Sequence, residues 1–216
     1  MLFSKPYPMD YRRPIDADII LEKQIELTFS LLKERGISGE EVAIGFVDET
    51  RPQNTANTVR VWSFERIRAI KNTTKFDANT IGFYAIKGNS VKDFIQDSKA
   101  PSISRFLENI KSANADYKAT IVVIDNFASH RSRLVRDKAI ELGFYIVYLP
   151  PYSPDLNPIE FIWKSIKRVL SISSVKDLCD MKTIISHSWD KFSNSLSYGE
   201  AWIRRFLQNS DYNLFC

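Results

Sequence analysis

Cysteine and histidine are scarce in this chain of 216 residues. The only cysteines are Cys179 and Cys216 and the only histidines His130 and His187. Two distant cysteines with no Cys-x-x-Cys spacing support neither a disulfide framework nor a zinc knuckle, so a reducing compartment is expected. No stretch approaches the roughly 18 apolar residues of a membrane span, and the start, Met1-Leu2-Phe3-Ser4-Lys5-Pro6, has no apolar signal core. The expectation is a soluble cytoplasmic protein with no membrane partner. Strong charge of one sign is missing too: 30 Lys and Arg against 26 Asp and Glu give a net charge of +4, which permits a polyanionic partner without arguing for one. Hydrophobic residues, by contrast, make up 44%, with 14 Phe, 9 Tyr and 4 Trp, enough for a real core, so disorder and low-complexity fibres are excluded.

Residues 1–14, with Pro6, Pro8 and Pro14, read as an extended entry or linker that follows an upstream segment. Apolar residues Ile19, Ile20, Leu27, Leu31 and Leu32 fall near helical spacing between Asp16 and Arg35, and Gly36 stands where a helix terminator belongs. Val42–Asp48 is apolar on both faces, as a central strand would be. Thr58–Phe64 and Thr80–Ile86 alternate like antiparallel companions of it. Pro101 opens a helix through Ile103, Phe106, Leu107 and Ile110. A second buried run, Thr120–Asp125, follows, then a basic helix from His130 to Leu142 closed by Gly143. The strand FYIVYLP, the stretch PPYSPDLNP, a helix from Pro158 to about Leu170, and helical patterns over Val175–Ser188 and Tyr198–Gln208 complete the chain. Three strands followed by alternating helix and strand predict an α/β fold with a mixed sheet.

Asp48 and Asp125 each close an apolar strand, where open α/β sheets border their ligand crevices. Each alone could equally cap the next turn. Glu160 also has two readings. With Asn157 as N-cap and Pro158 first in the helix it is a capping-box acid; a helix start beside a strand end also delivers a carboxylate rigidly. Three hard oxygen ligands on separate rigid elements suit Mg²⁺ or Mn²⁺, and such a set can hold two ions for phosphodiester chemistry.

The segment from Ile121 to Arg168 resembles the catalytic core of the mariner-type insertion-sequence transposases, through Asp125, Asn126, His130, the block LPPYSPDLNPIE, Trp163 and Lys164. Thirty-four residues separate Asp125 from Glu160, similar to the Asp-Asp-Glu form of that superfamily, and FVDET resembles its first catalytic strand. The resemblance implies a ribonuclease H-like fold with helices on both sheet faces. It divides the chain into a linker and first helix (1–38), a catalytic domain (39–172) and a helical extension of that domain (173–216). It implies Asp48, Asp125 and Glu160 as catalytic metal ligands for two Mg²⁺ or Mn²⁺ ions, which cleave double-stranded DNA at transposon ends and join it to a target. A homodimer, a separate helix-turn-helix segment that reads the ends, and a place on the nucleoid are implied as well. An inactive or truncated DNA-binding remnant and a ribonuclease H-like nuclease without transposition are the alternatives.

Glu49 rivals Asp48, but strand alternation should turn it to the opposite face. Asn126 and His130 are supporting candidates: His130 could orient a phosphate or a metal-bound water, or cap the helix beginning there, and Asn126 could hold the turn or tolerate its backbone angle. Arg131, Arg133, Lys164, Lys167 and Arg168 could contact DNA phosphates or form a solvated face, with Lys164 paired to Glu160. Trp62, Trp163 and Trp189 read as core, and His187 as structural.

Overall fold

The computed structural model describes residues 10–55, 64–65 and 72–207. The first helix, α1 (Ala17–Glu34), ends where Gly36 adopts φ 69° and donates its amide to Lys33 O (2.9 Å), while the Ile37 amide reaches Leu32 O (3.0 Å). This pair of bonds is the glycine-terminated Schellman stop that the sequence suggests. The buried stripe, however, is Ala17, Leu21, Ile25, Thr28, Phe29 and Leu32, whereas Ile19, Leu27 and Leu31 point outward. Two apolar stripes share this helix, and the sheet takes the one bearing Phe29.

Among the described residues five strands follow: β1 (Val42–Thr50), β2 (Thr80–Lys87), β3 (Val91–Phe94), β4 (Ala119–Ile124) and β5 (Phe144–Tyr148). Their order is β3-β2-β1-β4-β5, antiparallel through β1, β2 and β3 and parallel from β1 through β4 to β5. The central strand β1 reads VAIGFVDET and is buried from Val42 to Val47, as a strand covered on both faces must be. The expected strand Thr58–Phe64 lies outside the described residues apart from Phe64, which sits in an exposed bend. Among the described residues the third antiparallel strand is β3, whose residues VKDF are all half-buried.

Alternation along the strands divides the core in two. Val42, Ile44 and Phe46 of β1 pack with Ile121 and Val123 of β4 under α1, α4 (Ile159–Ile172), α5 (Leu178–Ser193) and α6 (Glu200–Phe206). Val47, Val122 and Ile124 face the other way, under α2 (Ala100–Ala113) and α3 (Arg133–Glu141). The mixed sheet therefore carries helices on both faces. Trp163 of α4 and Trp189 of α5, ring centroids 5.1 Å apart, press on Gly82 of β2, where a Cβ would stand 2.8 Å from the Trp163 ring. Gly82 pairs in register with Asp48, so this contact forms the floor beneath the strand end. Trp202 packs edge-on against Phe46 at 4.8 Å, which brings α6 into the same core. Among the described residues no helix is long and apolar enough to cross a membrane.

Candidate active site

The pairing of β1 with β4 sets up the site. These adjacent parallel strands run in register through Val47 and Ile124, so Asp48 and Asp125 emerge side by side at their C-terminal ends. The third carboxylate, Glu160, is in the first turn of α4. All three line one open cleft of about 510 Å³, walled by Asn126, Phe127, Arg131 and the Leu149–Pro154 segment.

That segment is held firmly. The Leu149 amide donates to Ile124 O at 2.8 Å, and Tyr152 sits at φ 56° with its ring 3.8 Å from the Arg12 guanidinium. Arg13, with its side chain 7% exposed, pairs with Asp155 at 3.0 Å and so ties the entry segment to the same loop. Positive φ at a non-glycine residue is uncommon and clusters where surrounding contacts force it, often at functional sites.

Neighbouring carboxylates on β1 have opposite fates. Asp48 faces the cleft, and its pKa is raised well above the usual 3.8, first by burial and then by the negative charges of Glu160, Glu49 and Asp125. Glu49 turns away, as alternation requires, and its Oε1 meets His130 Nε2 at 3.1 Å. The other nitrogen of that ring, Nδ1, lies 2.5 Å from Asp125 Oδ1. Burial alone would lower the histidine pKa, but the bonds and charges of Asp125 and Glu49 outweigh it and raise it to about 10, so the ring is an imidazolium at neutral pH. Asp125 is held below its usual value: burial pushes it up, but the bond and charge of His130 and the Phe127 amide prevail.

Three local expectations are corrected. The helix expected from His130 begins at Arg133, and its cap is Ser132, whose hydroxyl accepts from the Val135 amide at 3.3 Å. His130 is therefore not a cap. Asn157 does not cap α4 either; its Oδ1 is buried without a hydrogen-bond partner, the helix starts at Ile159, and Glu160 makes no capping-box bond. Lys164 does not pair with Glu160 but lies 4.9 Å over the Phe161 ring.

The other candidates scatter. Asn126 lines the cleft without a side-chain bond; the turn is held by Asp125 Oδ1, which accepts from the Phe127 amide at 3.0 Å. Arg131 borders both the cleft and an adjoining cavity of about 350 Å³ that Arg136 also lines. Arg133 is spent on Asp137 at 3.3 Å, an exposed pair. Lys164, Lys167 and Arg168 are exposed on α4. Trp163 and Trp189 are core residues, Trp62 lies outside the described residues, and His187 is exposed. Sequence reading missed the link between Glu49 and His130, and the separation of 81 positions leaves no local signal for it.

Whether the donors suit a divalent ion can be judged from their chemistry. Three oxygen donors share one cleft, and Asp48 there faces its acidic neighbours without an ion pair among the described residues, a combination that a hard divalent ion relieves. Their spacing is open, since among the described residues no three His, Cys, Asp or Glu side chains stand close enough to enclose an ion. The set fits such an ion in kind.

The fold has relatives among solved structures. A Mos1 transposase paired-end complex with left transposon end superposes with a TM-score of 0.61 at 17% identity, covering 95% of this chain and 62% of that one. The catalytic domain of Mos1 mariner transposase gives a TM-score of 0.59 at 16% identity over 94% of this chain and 92% of that one. A Mos1 mariner paired-end complex with Mn gives 0.63 at 15% identity, with 95% and 64% covered. This chain thus spans less than two thirds of the transposase chains in those DNA-end complexes, and no match is found among curated proteins. The mixed sheet with helices on both faces matches the ribonuclease H-like fold of the Mos1 catalytic domain. The sequence itself matches the DDE superfamily endonucleases over residues 43–182, well over half of its length, and the chain belongs to that family.

Proposed function

We propose that this chain is the catalytic part of a mariner-type transposase, which cleaves double-stranded DNA at transposon ends and joins the freed 3′-hydroxyl to a target, with Asp48, Asp125 and Glu160 holding two Mg²⁺ or Mn²⁺ ions. The observation that carries this reading is the convergence of three carboxylates from two central strands and a helix start into one cleft, with the charge on Asp48 left uncompensated. Bound there, such ions activate the attacking oxygen and stabilise the leaving oxygen of a phosphodiester.

The chain's own groups do the rest. Asp48 and Asp125 are fixed by the backbone of β1 and β4, and Glu160 by α4, so the ligands stand on rigid elements. Arg131 brings a guanidinium to the rim of an otherwise acidic cleft, suited to a phosphate oxygen of the bound strand. Lys164, Lys167 and Arg168 offer further phosphate contacts on exposed α4. A homodimer and a separate helix-turn-helix segment complete the proposal, with the DNA of the nucleoid as the place of action. Support for metal use comes from Mos1 catalytic domain structures with Mn and with Mg, each paired with Raltegravir, that share this fold at TM-scores of 0.54 and 0.55.

The test is nicking of supercoiled plasmid by the wild-type chain and by Glu160→Ala, with Mg²⁺, with Mn²⁺ and with chelator. Metal-dependent nicking lost in a folded variant is the expected result. Nicking that persists in Glu160→Ala or in chelator overturns the ligand assignment, and strand joining to a target plasmid separates a transposase from a simple nuclease.

A further inference from the structure

His130 is a residue with nothing left to give. Its side chain is 2% exposed, both ring nitrogens are engaged by carboxylates, its amide donates to Phe127 O at 3.1 Å and its carbonyl accepts from the Tyr148 hydroxyl at 3.3 Å. To reach a phosphate or a water it would have to release Glu49 or Asp125 and leave a buried ring nitrogen unpaired, which is costly. A buried ring bonded on both sides is well placed to hold something else still.

What it holds is one oxygen of Asp125. Oδ1 accepts from the Phe127 amide at 3.0 Å and meets His130 Nδ1 at 2.5 Å, whereas Oδ2 makes no hydrogen bond among the described residues. Glu49, with its side chain 13% exposed, anchors the far side of the ring at 3.1 Å and cannot turn toward the cleft without releasing it. We propose that Glu49 and His130 are positioning residues: the imidazole, braced by Glu49, occupies Asp125 Oδ1 and leaves Oδ2 alone to face a divalent ion. This rests on the ligand role proposed above for Asp125. It also gives Glu49, the rival acid on β1, a task other than binding the ion. Groups that orient a metal ligand from behind typically change metal affinity by roughly 10–100-fold when removed.

The experiment measures Mn²⁺ affinity of the full chain by electron paramagnetic resonance, beside a melting curve for every variant. Glu49→Gln keeps an acceptor at the same place, and Glu49→Met removes it while filling the volume. Affinity in Glu49→Gln is expected within about threefold of wild type, in Glu49→Met about tenfold or more weaker, and in Asp125→Asn lost. A merely structural role for Glu49 would lower melting temperature without moving Mn²⁺ affinity, and that result overturns the proposal. If Glu49 were itself a ligand, Glu49→Gln would bind as poorly as Asp125→Asn, which also overturns it.

Because Glu49 acts only through His130, Glu49→Met/His130→Leu should bind Mn²⁺ no more weakly than His130→Leu alone. The double variant removes both polar partners together, which keeps the test open if Glu49→Met does not fold. Additive losses in the double variant sink the coupling. Wild-type chain that binds no Mn²⁺ removes the ligand reading and this one together, whereas wild-type binding with Glu49→Met unchanged removes only this one.

Discussion

Asp48 and Glu49 are consecutive residues on one strand, yet they live in opposite electrostatic worlds. On the Glu49 side, two carboxylates share one buried imidazolium. On the Asp48 side, Glu160 and Asp125 share the cleft with Asp48, and their charges, with that of Glu49 behind the strand, oppose its ionisation. A residue period of two is enough to separate them, because adjacent side chains on a strand leave from opposite faces. The lesson is that a fold can keep one acid satisfied and its neighbour frustrated, and that the frustrated one is where the proposed cation would bring most relief.

The sharpest way to break this comparison is to neutralise each neighbour in turn. Asp48→Asn should reduce metal-dependent nicking by at least roughly a hundredfold, since a lost metal ligand forfeits several kcal/mol of transition-state stabilisation, whereas Glu49→Gln should stay within about threefold. Plasmid nicking rates decide it, and equal losses in the two variants would dissolve the distinction. Next in size is Gly82→Ala. A methyl group there meets the rings of Trp163 and Trp189, so the variant should lose about 1–3 kcal/mol in urea denaturation, as overpacked cores do. Unchanged stability would show that the floor beneath Asp48 yields freely.

A subtler effect concerns pH. The folded-state pKa of Asp48 is raised, so its penalty is absent below the unfolded value near 3.8, grows as pH rises from there toward the folded value and levels off above it. In chelator, Asp48→Asn should therefore melt above wild type at pH 8, and the gap should close toward pH 4. A gap that widens on acidification would contradict the frustration on which the comparison rests. The smallest effect separates two arginines. Arg131→Ala should weaken DNA binding and shallow its salt dependence by about one phosphate contact, while Arg133→Ala, already paired with Asp137, should change binding by less than about twofold. Fluorescence titrations over a salt series compare them.

Much of this arrangement was legible in the sequence, for reasons that particular residues make plain. Val42–Asp48 and Thr120–Asp125 read as buried strands because both of their faces are apolar, and both are central strands. Gly36 read as a helix stop because its backbone angle favours glycine. β3 escaped notice because VKDF is short, polar at two positions and only half-buried. In α1, Ile19, Leu27 and Leu31 keep nearly the same period as the buried set, so the helix was legible but which stripe meets the sheet was not. Capping by His130 and Asn157 was a local inference that tertiary structure overrode: one side chain is claimed by Asp125 and Glu49, and the other is buried without a bond. The convergence of Asp48, Asp125 and Glu160 followed from strand ends, but the bracing of Asp125 by a residue 81 positions from its own anchor had no signature in the chain.

The ring of Trp202 on Phe46 gives the tail a significance that its own sequence lacks. Phe46 lies two residues before Asp48, so an indole delivered near the end of the described chain is the wedge behind the first strand of the cleft. Stretches that carry no chemistry are often treated as expendable trimmings. Here, shortening the chain ahead of Trp202 would expose an aromatic patch at the base of β1 and loosen the strand that carries Asp48, so the integrity of the cleft depends on residues about 150 positions downstream of it in the sequence.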